Sequence, residues 1–94
     1  MNKAIALLGD CWVLRIVKQL DQQELRFTEI LRAIDGLNPV TLTNRLKMLE
    51  KEKIVHRKEE TVDKLSVVYQ LTAKGKAILP ILHNIESFAQ QFVS

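Results

Sequence analysis

Residues 26–71 read RFTEILRAIDGLNPVTLTNRLKMLEKEKIVHRKEETVDKLSVVYQL, and the order of signals within them decides the fold. Leu25-Arg26-Phe27 suits a very short strand or an extended lead-in. Thr28 is a fit N-cap for a short helix that turns Ile30, Leu31 and Ile34 inward. Asp35-Gly36 marks a turn. Asn38-Pro39 is the strongest local punctuation, because Asn is a favoured N-cap and Pro is pre-set for the first helical position. The helix it opens runs to about Lys51 or Glu52. Ile54 to Lys58 starts strand-like, Glu59 to Lys64 is a charged turn, and Leu65 to Leu71 is rich in β-branched residues. A helix, a short turn, a second helix and a hairpin give a helix-turn-helix over about 28–52 with a β-wing over about 54–71.

The flanking segments complete a single domain over residues 1–94. Lys3 to Leu8 is a short helix-prone run stopped by Gly9. Asp10 can cap a helix running to about Gln22, whose Val13, Leu14, Ile16, Val17 and Leu20 are broad enough for burial. Thr72 can cap a last helix over about 73–93, with Pro80 in its first turns or at a bend. The expected fold class is α+β: a mostly helical winged helix-turn-helix with a small antiparallel wing and terminal dimerisation helices.

Bulk numbers narrow the function. The chain has 94 residues, 47% of them hydrophobic and only 5% aromatic, so Leu, Ile and Val must build a modest core. The net charge of +3 permits an anionic partner. Its distribution says more. Arg45, Lys47, Lys51, Lys53, Arg57 and Lys58 face only Glu50 and Glu52 over that stretch, whereas Ala77 to Ser94 carries Glu86 and no Lys or Arg. The one cysteine, Cys11, cannot close an intrachain disulfide, which suits a reducing cytoplasm. Signal-peptide and membrane-span patterns are not found, so a cytoplasmic protein is expected. No nucleophile–base pair, Gly-rich phosphate loop or metal-ligand cluster suggests an enzyme, and no cofactor or metal is expected.

On a helical wheel, Leu42, Leu46 and Leu49 of the second helix share one side. Val40, Thr41, Asn44, Lys47, Met48 and Lys51 lie opposite, with Thr43 at the border. One apolar stripe and one cationic face suit the major groove of double-stranded DNA. Asn44 is the candidate base reader, since its amide can pair with adenine; Thr41 and Thr43 suit a phosphate or a thymine methyl, and Lys47 and Lys51 suit phosphates. Arg45 borders the apolar stripe, which also suits it to brace the domain by pairing with a nearby Glu. In the wing, Arg57, Lys58 and Lys64 suit flanking backbone, although Glu59, Glu60 and Asp63 oppose deep insertion. Arg26, ahead of the first motif helix, is a further backbone candidate. His56 and His83 stand alone and suit ordinary surface or packing roles.

The apolar stripe Ile78, Leu82, Ile85, Phe88 and Phe92, with Ile5, Leu7 and Leu8, suits an isologous homodimer interface. Cys11 has two readings. A thiol at a helix N-terminus is open to redox sensing, but beside Trp12 in an apolar helix it fits an inert core residue, the commoner role of a lone Cys.

Four blocks in order resemble the HxlR-type transcription regulators, a branch of the MarR-like winged helices. Leu8-Gly9-Asp10-Cys11-Trp12 is similar to that family's Leu-Gly-Gly-Lys-Trp opening. Arg26-Phe27-Thr28-Glu29-Ile30 resembles its Arg-Phe-x-Glu-Leu. Asn38 to Glu50 resembles its recognition helix, and Tyr69-Gln70-Leu71-Thr72-Ala73-Lys74-Gly75 its Tyr-x-Leu-Thr-x-Lys-Gly return strand and cap. The similarity covers about residues 5–93. It implies a homodimeric DNA-binding transcription factor whose small-molecule effector, if any, is unknown. Asp10-Cys11 departs from the family's Gly-Lys, and the cysteine often found upstream is not in this chain. Glu52-Lys53 replaces the usual Asp-Gly, which implies a looser or differently shaped turn. A winged-helix protein-interaction module, or a redox- or ligand-sensing regulator switched at its dimer interface, are the competing functions.

Overall fold

Two polar caps frame the helical half of the chain. The computed structural model describes residues 3–59 and 67–93. After α1 (Lys3–Leu8), Asp10 starts α2 (Cys11–Gln19): its Oδ1 accepts the N–H groups of Trp12 at 2.9 Å and Val13 at 3.1 Å. The helix stops three residues short of the expected Gln22. Its last turn tightens, with Leu20 N–H on the Val17 carbonyl and Asp21 N–H on that of Lys18.

Leu25–Arg26 form a true strand, β1, and α3 spans Phe27–Ala33. Thr28 is therefore not the cap. Arg26 is, because pairing with Val68 in the sheet holds its backbone extended. Glu29 then reaches back to accept the Arg26 N–H at 2.8 Å. Gly36 turns the chain at φ 81°, a value that favours glycine. Asn38 Oδ1 accepts the Thr41 N–H at 2.9 Å and opens α4 (Pro39–Lys51), as expected.

The end of α4 corrects the expectation for Glu52-Lys53. Lys53 adopts φ 60°, the left-handed conformation a glycine would take there. Lys53 N–H reaches the Glu50 carbonyl at 3.0 Å and Ile54 N–H that of Leu49 at 2.9 Å, the paired bonds of a Schellman cap. The turn keeps its shape, and a lysine side chain bears the strain.

The wing is part of a three-stranded antiparallel sheet rather than a lone hairpin. Strands β2 (Val55–Glu59) and β3 (Val67–Leu71) pair from Val55 with Leu71 to Glu59 with Val67, and β1 joins the other edge of β3, giving the order β1-β3-β2. Residues 60–66 connect them, so the expected tip and Lys64 lie outside the described residues.

The expected last helix is two. Thr72 caps α5 (Ala73–Lys76), and α6 spans Ile78–Phe92 with Pro80 third in it. Pro80 has no N–H for the carbonyl of Lys76, four residues back, so the helical ladder breaks between them. Ile78 and Leu82 are buried in their own core, which removes both from the expected dimer surface. They sit too near the start of α6, where it still lies over the domain. Ile85, Phe88 and Phe92 are exposed, as is Ile5, and Leu8 is half-buried.

The core gathers Val13, Ile16, Val17 and Leu20 of α2, Ile30, the three leucines of α4, Ile54, Tyr69 and Leu71. At its edge, the Thr72 hydroxyl donates to the carbonyls of Lys53 at 2.6 Å and Ile54 at 3.1 Å, while Thr72 N–H also bonds Ile54. Gly75 presses on the same place: a Cβ there would fall 2.2 Å from the Ile54 carbonyl oxygen.

Two substitutions test this account by chemical denaturation. Gly75→Ala must displace backbone and should cost about 1–3 kcal/mol. Lys53→Gly should stabilise the protein by about 0.5–1 kcal/mol, because relief of left-handed strain outweighs the added freedom of the unfolded chain. A neutral Gly75→Ala, or a destabilising Lys53→Gly, would contradict the packing described.

Candidate nucleic-acid interface

Helix α4 divides its residues as the wheel demands. Leu42 and Leu49 are 0% exposed and Leu46 is 2% exposed. On the other side, Val40, Asn44, Lys47 and Lys51 are exposed, and Thr41 and Thr43 are half-buried. The side chains of Asn44 and Lys47 make no hydrogen bond or ion pair with any described residue. Met48 departs from the expected outer face. It is half-buried, lining with Ala6 and Leu7 an open cleft of about 220 Å³ between α1 and α4, which the paired Lys3 and Glu52 also line. The sequence placed Met48 by angle alone, and α1 folds over that angle.

Arg45 braces the domain as anticipated, with an aspartate in place of the expected Glu. Its Nε donates to Asp10 Oδ2 at 2.9 Å, and both side chains are partly buried. Asp10 serves two elements because capping α2 occupies only its Oδ1.

The C-terminal end of α4 is held by cations that the sequence reading did not single out. Lys3 pairs with the Glu52 carboxylate at 2.9 Å, and Lys74 donates to the Glu52 carbonyl at 2.8 Å. The hydrogen bond from Lys3 holds the Glu52 carboxyl below the usual carboxylate range. Lys74 was visible in the quoted Leu-Thr-Ala-Lys-Gly block, but its carbonyl partner depends on where α4 stops. Cations at this end also complement the helix dipole.

The described wing cations, Arg57 and Lys58, are exposed but engaged. Arg57 pairs with Glu59 at 3.1 Å, and its bonds to Glu59 and Tyr69 hold the guanidinium more firmly protonated. Lys58 lies 4.0 Å from Glu24. Arg26 is exposed at the junction of β1 and α3, close in sequence to the motif but on a different element from α4. The structure thus brings Val40, Asn44, Lys47 and Lys51 onto one face and leaves Arg57 and Lys58 on the sheet.

Cys11 corrects the core reading: it is exposed. It lies two residues, about 200° of helix, from the buried Val13, so the helix turns it outward. Its neighbour Trp12 is half-buried with the Arg15 guanidinium 5.4 Å from the ring centroid. His56 and His83 are exposed, and no group of residues able to hold a metal occurs among the described residues. No described helix is long and apolar enough to cross a membrane.

Residues 7–94 match the family described as HxlR-like helix-turn-helix. The chain is 40% identical over 92 residues to the HTH-type transcriptional regulator YvaP of Bacillus subtilis, covering 98% of this chain and 85% of that one. It is similar in structure to the reduced form of the transcriptional regulator YodB of B. subtilis, with a TM-score of 0.84, 34% identity, and 95% and 87% of the two chains covered. YodB is also known in quinone-bound and diamide-treated structures. A protein assigned to the MarR family of transcriptional regulators, from Porphyromonas gingivalis W83, superposes with a TM-score of 0.86 at 28% identity over 96% and 88% of the chains.

The start of α4 rests on one side-chain bond. Asn38→Ala removes the acceptor for Thr41 N–H and should lower stability by about 1 kcal/mol in thermal or denaturant unfolding, whereas Asn38→Asp should be nearly neutral. An alanine variant as stable as the wild type would show that the cap does not anchor this helix.

Proposed function

The chain belongs to the HxlR-like helix-turn-helix family of transcriptional regulators, and from that premise we propose that it binds specific double-stranded DNA as a homodimer, with α4 in the major groove. One observation carries the reading: α4 buries its leucines and leaves Asn44, Lys47 and Lys51 exposed beside one another. An amide with free donors and acceptors can match a base edge, while ammonium groups act as mobile charges toward phosphate. Arg57 and Lys58 of the wing, already paired with carboxylates, serve flanking backbone only. Arg26 is a further backbone contact of the same weak kind.

The dimer reading rests on the far end of the chain. Phe88 is 59% exposed and Phe92 68% exposed, with rings 5.1 Å apart, and Ile81, Ile85 and Val93 extend the apolar surface. A second copy of α6, with α1 and its Ile5 and Leu8 alongside, would cover it isologously. Two copies of α4 would then meet half-sites about 34–36 Å apart.

A second reading, thiol-responsive control of the same DNA binding, is favoured by the exposure of Cys11. With one cysteine in the chain, oxidation leads to a sulfenic acid or an intermolecular disulfide. Diamide that weakens wild-type binding but spares Cys11→Ser would support it; equal responses would remove it.

Selection from a random duplex pool should yield a preferred operator. On that operator Asn44→Ala should cost about 1–3 kcal/mol and relax preference at one position per half-site. Lys47→Ala should weaken operator and scrambled duplex alike and lower the salt slope by about one unit. Loss on neither duplex for either variant would point to a protein partner for this face. Sedimentation at micromolar concentration should give twice the chain mass, and Ile85→Asp with Phe88→Asp should give monomer. A wild-type monomer would exclude the dimer.

A further inference from the structure

We infer that Arg45 is a positioning residue: its ion pair with Asp10 fixes the rotation of α4 and thereby the presentation of Asn44 and Lys47, without Arg45 itself touching DNA. The inference deepens the DNA-binding reading and rests on it. Arg45 directly follows Asn44 in α4, yet it turns away from the exposed face and is held by its Nε–H on Asp10 Oδ2 at 2.9 Å. Asp10 is itself fixed, since its Oδ1 takes the N–H groups of Trp12 and Val13, the second and third residues of α2. Helix α2 is a firm anchor: Val13, Ile16 and Val17 are fully buried.

The physical need is directional. Leu42, Leu46 and Leu49 hold α4 to the core, but apolar contacts have no preferred direction and tolerate small rotations. A base-reading amide does not, because hydrogen-bond strength falls steeply with angle. Among the described residues, the other polar side-chain ties on α4 are at its ends, at Asn38 and at Glu52. The Arg45–Asp10 bond is a charge-assisted, directional tie from its middle, adjoining the residue whose aim matters.

Asp10→Asn separates capping from clamping. An asparagine caps a helix as well as an aspartate. With its oxygen on α2, however, it turns an amide donor toward the Arg45 donor, so the clamp is lost. The melting temperature should stay within about 5 °C of wild type. Amide resonances of Asn44 and Lys47 in the free protein should shift. Asp10→Asn and Arg45→Gln should each weaken the selected operator about three- to tenfold, with the salt slope unchanged, and the double variant should be no weaker than either single one. Additive losses, or a salt slope lowered by Arg45→Gln alone, would place Arg45 on a phosphate and overturn the proposal. So would unmoved α4 resonances in Asp10→Asn. If those resonances shift while the wild type selects no duplex, the pair still orients α4, and it is the DNA reading that falls.

Discussion

The burial of one leucine seam organises this molecule. Leu42, Leu46 and Leu49 sit in a single cluster with Val13, Ile16 and Val17 of α2 and Ile30 of α3. In so small a chain these leucines cannot be left in water, so α4 must turn this side to the domain, while its fine rotation is left to directional bonds. Once those leucines face in, Asn44 and Lys47 must face out, because helical geometry puts them on the other side. The exposed face is a consequence of the core.

The second organising point is the carbonyl of Ile54, where three segments converge. It accepts from both the N–H and the hydroxyl of Thr72, and Gly75 approaches so closely that no side chain fits. The Schellman cap of α4 delivers Ile54 to this place, and the strained Lys53 is the cost of the turn. The end of the recognition-type helix, the start of β2 and the first turn of α5 are therefore one unit. Lys74 adds a charge to the same helix end. A disturbance of this junction would reach α4 and the wing together.

The cations fall into two kinds. Lys3, Lys18, Arg45, Arg57 and Lys74 are engaged with carboxylates or carbonyls and shape the fold: Lys18 ties α2 to Glu86 on α6, and the others secure α4 or the sheet. Lys47 has no such partner among the described residues and remains available to an outside anion. A basic sequence segment thus contains both braces and a cation without a partner among the described residues, and net charge by itself does not separate them.

Much was legible before folding. The Asn38-Pro39 start, the Asp10 and Thr72 caps, the inward leucines and the order helix, turn, helix, hairpin are local signals, written in residues adjacent in sequence, and the four family-like blocks agree with the matching of residues 7–94. What the sequence could not decide were properties of distant neighbours. Thr28 looked like a cap until sheet pairing fixed Arg26; Ile78 and Leu82 looked like interface until the domain covered them; Cys11 looked like core until the turn of α2 put it outside. The partner of Arg45 lies 35 residues away, and no local pattern reports a bond across that span. Periodicity gives the angle of a side chain on its own element. Only the tertiary structure decides what stands at that angle, because burial and pairing belong to two elements at once.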